Sequence, residues 1–257
     1  MILSGRAIST GEVRGTVAKV DDRVSFLGDV DPETGLVFGE KKIKDSIFVF
    51  PEGKGSTVGS YVIYQLKKNG TGPKGIINRK TETIVASGAI ISDIPLVDDI
   101  DIDLIEDGDM VHIDGAKGEV DILDVDVVDV VTAFLVRDDS LLLFKRSDDV
   151  RTFKGKWAGV SGYLEKNDPL QQAKIEINEE TDLESELLAE GETVLARSGK
   201  NIWRVHPYLF SVEGEPELDR ENEKYEWVRP EKIKSRDTVP KLWEAYESAR
   251  WSYENQD

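Results

Sequence analysis

The sequence of 257 residues contains no cysteine, two histidines and two methionines. Without thiols it forms no disulfide and gives no thiolate to an iron–sulfur cluster or a structural zinc, so any such cluster serving this chain is held by a partner. Positive charge is also scarce: 33 Lys and Arg stand against 51 Asp and Glu, a formal net charge of -18. Nucleic acid and anionic membrane both demand a basic face, so neither is expected as the main ligand. No apolar run approaches the roughly 18 residues that cross a bilayer, and Met1–Arg6 offers no secretory hydrophobic region, so the expected location is the cytoplasm. No internal repeat or low-complexity tract stands out.

The length is long for one domain and comfortable for two. From Gly11 to about Val125, short strand-like runs are broken by Gly, Asp and Pro: Gly15–Val20, Ser46–Phe50, Gly75–Asn78, Thr83–Gly88 and Met110–Ile113. One clear helix is predicted over Val58–Lys68, with Lys67 and Lys68 in its last turn and Asn69-Gly70 as its stop. Asp98–Asp103 alternates acidic and apolar residues and reads as a solvated or edge strand. The boundary is expected near Asp124, giving domains 1–124 and 125–257, with no Ser/Pro linker to separate them. Beyond it come a hairpin (Val128–Val136 and Leu141–Lys145), a helix from Asp168-Pro169 to Thr181, strands at Glu192–Arg197, Trp203–Ser211 and Tyr225–Val228, and a C-terminal helix over Lys241–Tyr253.

Two stretches carry candidate chemistry. Pro51–Asn69 runs from an apolar strand through Gly53 and Gly55 to Ser56 at a helix start, the order in which a backbone builds an anion site. Read locally, Ser56 is placed as an N-cap, and capping serines outnumber catalytic ones. Gly53-Lys54-Gly55-Ser56 is not a nucleotide P-loop, because Gly55 separates the lysine from the hydroxyl. In the second half, Glu176, Glu179 and Glu180 are spaced i, i+3, i+4 and share one helical face. Carboxylates packed together repel unless a divalent cation neutralises them, and oxygen ligands suit Mg2+ or Mn2+. A solvated acidic face is the competing reading. His112 and His206 fall in strand patterns and read as structural.

Taken whole, Met1 to Leu123 resembles the swivel-domain family of aconitase-X-type hydro-lyases, which includes the small subunit of archaeal phosphomevalonate dehydratase. The residues that carry it are Gly5-Arg6-Ala7-Ile8, Gly11–Gly15, Phe50-Pro51, Lys54–Tyr61, Ile84-Val85-Ala86, Gly88-Ala89-Ile90 and Ile94-Pro95. The resemblance implies a swivelling β/β/α domain and a heterodimer with a large subunit that bears the iron–sulfur cluster. It implies that Ser56 is the general base in dehydration of mevalonate 5-phosphate to trans-anhydromevalonate 5-phosphate, a step of isoprenoid synthesis. Thr57 and Ser60 are the alternative hydroxyls, and Lys54, Gly55, Thr57 and Arg79 are candidate contacts to the small phosphorylated substrate. A helix start and glycine-loop amides are one means of stabilising the alkoxide that such a base requires.

Residues Asp126 to Tyr253 resemble a Nudix hydrolase, an α/β/α sandwich, so the chain as a whole is expected to combine α/β and α+β domains. The evidence is Gly155-Lys156-Trp157-Ala158, Ser161–Glu165, the helix Ala173–Leu183 and Glu226-Trp227-Val228. The family box places Glu176, Glu179 and Glu180 as its helix carboxylates and Gly162 as its glycine. The resemblance implies that these four residues hold Mg2+ or Mn2+, that Glu179 takes part in catalysis, and that water attacks a nucleoside or prenyl diphosphate. Three departures set this box apart: Glu165–Asp168 is one residue short, so Asn167 or Asp168 stands where the first glutamate belongs, Ile175 replaces an arginine, and Asp182 replaces a glycine. Three functions follow: a dehydratase small subunit with an appended Nudix domain, a Nudix hydrolase with a docking domain, or a Nudix module that binds a phosphorylated ligand.

Overall fold

Packing divides the computed structural model into two units, Met1–Val125 and Asp126–Asp257; residues 1–165, 168–218 and 220–255 are described. The strands of the first unit are β1 (Ile2–Ser4), β2 (Arg6–Ser9), β3 (Glu12–Lys19), β4 (Val30–Asp31), β5 (Leu36–Val37), β6 (Lys41–Lys42), β7 (Ile47–Glu52), β8 (Gly75–Lys80), β9 (Leu96–Asp98), β10 (Met110–Asp114) and β11 (Glu119–Ile122). Its helices are α1 (Phe26–Asp29), α2 (Gly59–Asn69) and α3 (Thr83–Ile91). Eight strands form one sheet in the order β1-β11-β10-β3-β7-β8-β9-β2, and β4, β5 and β6 form a small separate sheet. The centre of the large sheet is parallel, β3 with β7, β7 with β8 and β8 with β9.

That order follows from the sequence. Ile47, Phe48, Val49 and Phe50 are all fully buried, as a central parallel strand covered on both faces requires. Phe48 and Phe50 pack with Phe26 from α1, Val62, Ile63 and Leu66 from α2, and Val85 and Ala89 from α3. Parallel pairing of β7 with β8 needs a crossover, which α2 supplies. The helix ends where Gly70 adopts φ 65° and returns its N–H to Leu66 and Lys67 carbonyls, the left-handed stop its sequence predicts.

Two expectations are corrected here. Thr83–Gly88 is helical, because Glu82 caps the Ile84 and Val85 amides and the apolar run buries only Val85, Gly88 and Ala89. Asp98–Asp103 is not a solvated strand: Asp98 ends β9 almost fully buried, and a 3-10 turn follows at Ile102–Leu104 with Ile100 and Ile102 buried.

In the second unit the strands are β12 (Asp126–Arg137), β13 (Ser140–Arg146), β14 (Trp157–Ala158), β15 (Val160–Tyr163), β16 (Ser185–Glu190), β17 (Val194–Ser198), β18 (Asn201–Val212) and β19 (Asn222–Val228); the helices are α4 (Pro169–Thr181) and α5 (Leu242–Glu254). The main path of the sheet is β14-β13-β12-β18-β16, with β15 on β12, β17 on β18 and β19 on β13. Alternation along β12 decides its two faces: Val128, Val130 and Phe134 join the cluster containing Leu242 and Tyr246 of α5, whereas Val131, Ala133 and Leu135 join that of Ala173 and Ile177 of α4. The sheet is therefore filled on both sides, an α/β/α sandwich. Strand β16 has no counterpart in the sequence reading.

Candidate functional site

In the first unit the loop Gly53–Val58 leaves the carboxyl end of β7, the edge of a parallel sheet where ligands collect. Its glycines are sterically required. A Cβ on Gly53 would lie 2.1 Å from Glu82 Oε1, and one on Gly55, at φ 104°, would lie 2.8 Å from Ser25 Oγ. Ser56 is exposed, and its Oγ receives a long 3.4 Å contact from the Val58 amide. The expected capping role is corrected: α2 starts at Gly59, its N-cap is Val58, and no side chain caps it. Thr57 is also exposed, while the Ser60 hydroxyl donates to the Thr57 carbonyl at 2.9 Å.

The candidate basic contacts both face acids. Lys54 Nζ lies 3.5 Å from Asp29 Oδ2, and Arg79 Nη2 donates to Asp103 Oδ1 at 2.7 Å. Sequence reasoning missed Ser25, Asp29 and Glu82, which border the loop from distant segments; nothing local in the sequence marks them. Behind the loop, Asn78 is fully buried and donates to the Phe50 carbonyl at 2.8 Å. Asp98 is buried beneath Arg6, accepting from Arg6 Nε and Nη2 at 2.9 and 2.7 Å and from the Thr81 amide at 2.8 Å. Burial pushes the Asp98 carboxyl up, but these hydrogen bonds outweigh it and hold the group below the usual carboxylate range.

In the second unit the three helix carboxylates lie on α4 in three different environments. Glu179 is exposed. Glu180 turns inward and is 8% exposed, its two oxygens accepting from the Ser161 amide at 3.3 Å and Asn222 Nδ2 at 2.9 Å. Glu176 accepts from Gln172 Nε2 at 2.8 Å and lies across Gly162, where a Cβ would sit 1.8 Å from Glu176 Oε1. Burial chiefly, then repulsion from Glu179, Glu221 and Glu165, raises the Glu176 carboxyl. Among the described residues no group of three or more His, Asp or Glu is placed to hold a metal. Of the two residues offered in place of the first box glutamate, Asn167 lies outside the described residues. Asp168 caps α4, accepting from the Gln171 amide at 3.1 Å. Asn222 and Glu221, which the sequence reading also missed, reach this site from the start of β19. His206 donates to or accepts from Asp129 at 2.9 Å, and His112 lies within β10.

A swivel-type sheet with a serine loop at its parallel edge, and a sandwich with a glutamate helix over a strand glycine, define the two halves. Family models agree: an aconitase X swivel domain matches residues 2–122 and a NUDIX domain matches residues 127–249. The phosphomevalonate dehydratase small subunit of Thermococcus sibiricus is 53% identical over 129 residues, covering 48% of this chain and 98% of that protein. That of Methanosarcina acetivorans is 52% identical over 130 residues, covering 47% and 90%. Among solved structures, Thermococcus kodakaraensis aconitase X in its holo-form is 53% identical, with TM-score 0.46 and coverage of 48% and 98%. The crystal structure of a MutT protein from Methanosarcina mazei is 24% identical, with TM-score 0.45 and coverage of 52% and 99%. Through its first half the chain belongs to the family of phosphomevalonate dehydratase small subunits, and its second half is a NUDIX domain.

Proposed function

We propose that this chain is the small subunit of a cytoplasmic hydro-lyase that converts mevalonate 5-phosphate to trans-anhydromevalonate 5-phosphate. The observation that carries the reading is Ser56, exposed on a glycine loop at the carboxyl end of a parallel strand, within a half that is 53% identical to a protein named a dehydratase small subunit. The name of those relatives implies a larger partner. With no cysteine in this chain, thiolate ligation of an iron–sulfur cluster falls to that partner, and such a cluster, when bound there, would supply Lewis acidity toward the leaving hydroxyl.

What this chain contributes is the base. Ser56, as its alkoxide, takes the proton alpha to the substrate carboxylate as the hydroxyl leaves with its bonding pair and the carbon–carbon double bond forms; passing that proton on to the departing hydroxide makes the water and restores the alkoxide. Amides at Thr57 and Val58 stabilise the alkoxide. Lys54 and Arg79 exchange Asp29 and Asp103 for the substrate's carboxylate or phosphate, and Gly55 and Thr57 let the backbone approach it. Val58, Tyr61 and Tyr64, all exposed on and before α2, are the surface that the larger subunit covers. Replacing Ser56 by Ala in the assembled enzyme is expected to lower turnover about 10²–10⁴-fold with assembly unchanged; full activity in that variant overturns the assignment.

For the second half we infer ligand binding without turnover, because Glu180 is already held by Asn222 and the Ser161 amide. Mg2+-dependent phosphate release from a diphosphate, abolished by Glu179→Gln, is the result that would restore the hydrolase reading.

A further inference from the structure

A cavity of about 430 Å³ opens in the NUDIX half against the last turns of α5. It lies at the far end of the sheet from the glutamate helix and its glycine. Gly162 pairs with Val131 of β12, whereas the cavity is lined by Val136 and by Asp138 and Asp139 of the turn that follows. Five residues of strand separate Val131 from Val136, roughly 17 Å at ~3.4 Å per residue. The floor is apolar, built from Val136, Leu188 and Leu209, with Tyr246 of α5 beside them.

The Tyr246 hydroxyl has nothing to do within the fold. Tyr246 is 5% exposed, its ring edge to face on Phe134 at 5.4 Å and tilted against Trp243 at 5.8 Å. Among the described residues its hydroxyl has no hydrogen-bond partner, whereas buried tyrosines usually find one. Burial chiefly raises this hydroxyl, Arg250 lowers it, and Glu231 and Glu254 raise it further. All three charged residues line the cavity, so the hydroxyl is aimed into it.

The surrounding charge selects the ligand. Asp138 and Asp139 reach the cavity from the turn after β12, Glu231 from the 3-10 turn after β19, and Glu254 from the end of α5, against Arg229 and Arg250. Arg250 Nε already donates to Glu254 at 2.7 Å. Among the described residues Asp138, Asp139 and Glu231 have no basic partner. An anion would gain Arg229 and face four carboxylates. An ammonium brings three donors to acceptors that lack them. No group of three or more His, Asp or Glu among the described residues is placed to hold a metal, so the cation is an organic one, and the apolar floor suits its hydrocarbon stem.

The geometry points to a binding site for a primary alkylammonium group, its stem on Val136, Leu188 and Leu209 and its nitrogen donating to Tyr246 Oη and the Glu231 carboxylate. A free aliphatic amine and a lysine side chain both carry that group. Neither Ser56 nor the glutamates of α4 take part, so the site stands apart from both readings above. The test is amide NMR titration of the isotopically labelled full chain with butylamine, N-acetyl-lysine methylamide, tetramethylammonium and butanoate. The two primary amines are expected to bind about fivefold or more tighter than tetramethylammonium, which donates no hydrogen bond, and butanoate is expected to give no saturable shift. Tyr246→Phe, which keeps the ring packing, and Glu231→Gln should each weaken amine binding about threefold or more. Asp22→Asn, an equal charge change at an exposed site in the first unit, should leave it within about twofold.

Tighter binding of the lysine probe assigns the site to a partner's side chain and tighter binding of butylamine to a free amine; both results support it. An equal response to tetramethylammonium, saturable binding of butanoate, no saturable binding of either amine, or binding unmoved by Tyr246→Phe and Glu231→Gln overturns it.

Discussion

At the scale of single residues, Ser56 shows how far a local reading reaches. Gly53, Gly55 and the hydroxyl after them were legible as an anion-friendly loop because glycine and serine declare backbone needs. The partners of that loop were not. Asp29 facing Lys54, Ser25 under Gly55 and Glu82 beside Gly53 come from other segments, and the sequence carries no pairwise signal for them. Asn222 is the sharper case, since the box residues predict a carboxylate at Glu180 but not the amide that holds it. Glu180→Gln should therefore destabilise the second unit by about 1–2 kcal/mol, because an amide nitrogen then meets the Ser161 N–H or the Asn222 donor; a chemical denaturation midpoint reads the change. Asp98 makes a pH-dependent prediction. Its carboxyl is depressed in the folded state, so its stabilisation is fully present above the ordinary Asp value near ~3.9 and is lost as pH falls through the lower folded value. Asp98→Asn should cost about 1–2 kcal/mol at pH 7, kept small because Arg6 is largely solvated. The gap to the unsubstituted protein should narrow only below about pH 4.

At the scale of elements, periodicity and end signals located α2, α4 and α5 to within a residue or two, since Asn69-Gly70 and Asp168-Pro169 are strong stops and starts. The failures share a cause. Thr83–Gly88 is apolar and β-branched, a run whose period does not distinguish a strand from a helix packed on one face; the Glu82 cap decides it. Strand β16 carries Glu186 and Glu190 beside Leu187 and Leu188, and its place is set by pairing with β18 and not by local pattern. Gly162 ties the box to the sheet, for any side chain there meets Glu176. Gly162→Ala should lower stability by about 1–3 kcal/mol, and adding Glu176→Ala should recover part of that loss, a coupling that a double-mutant thermal denaturation cycle measures. In the first unit, Phe50→Ala should cost about 3–5 kcal/mol by emptying the junction of β7 with α1 and α3.

At the scale of the whole molecule, a charge of -18 and the absence of cysteine set limits that no single motif could. Under the proposed function they make Ser56 one part of a shared active site, with the other part supplied by a second chain. No helix among the described residues is long and apolar enough to cross a membrane. The two units belong to different families, and the readings of each stand or fall separately. The central claim is complementation. Water elimination from mevalonate 5-phosphate should be measured with this chain alone, with the cluster-loaded large subunit alone, and with the two mixed. Turnover in the mixture and in neither chain alone is the predicted result; turnover by this chain unaided, or none in the assembled and cluster-loaded mixture, would contradict it.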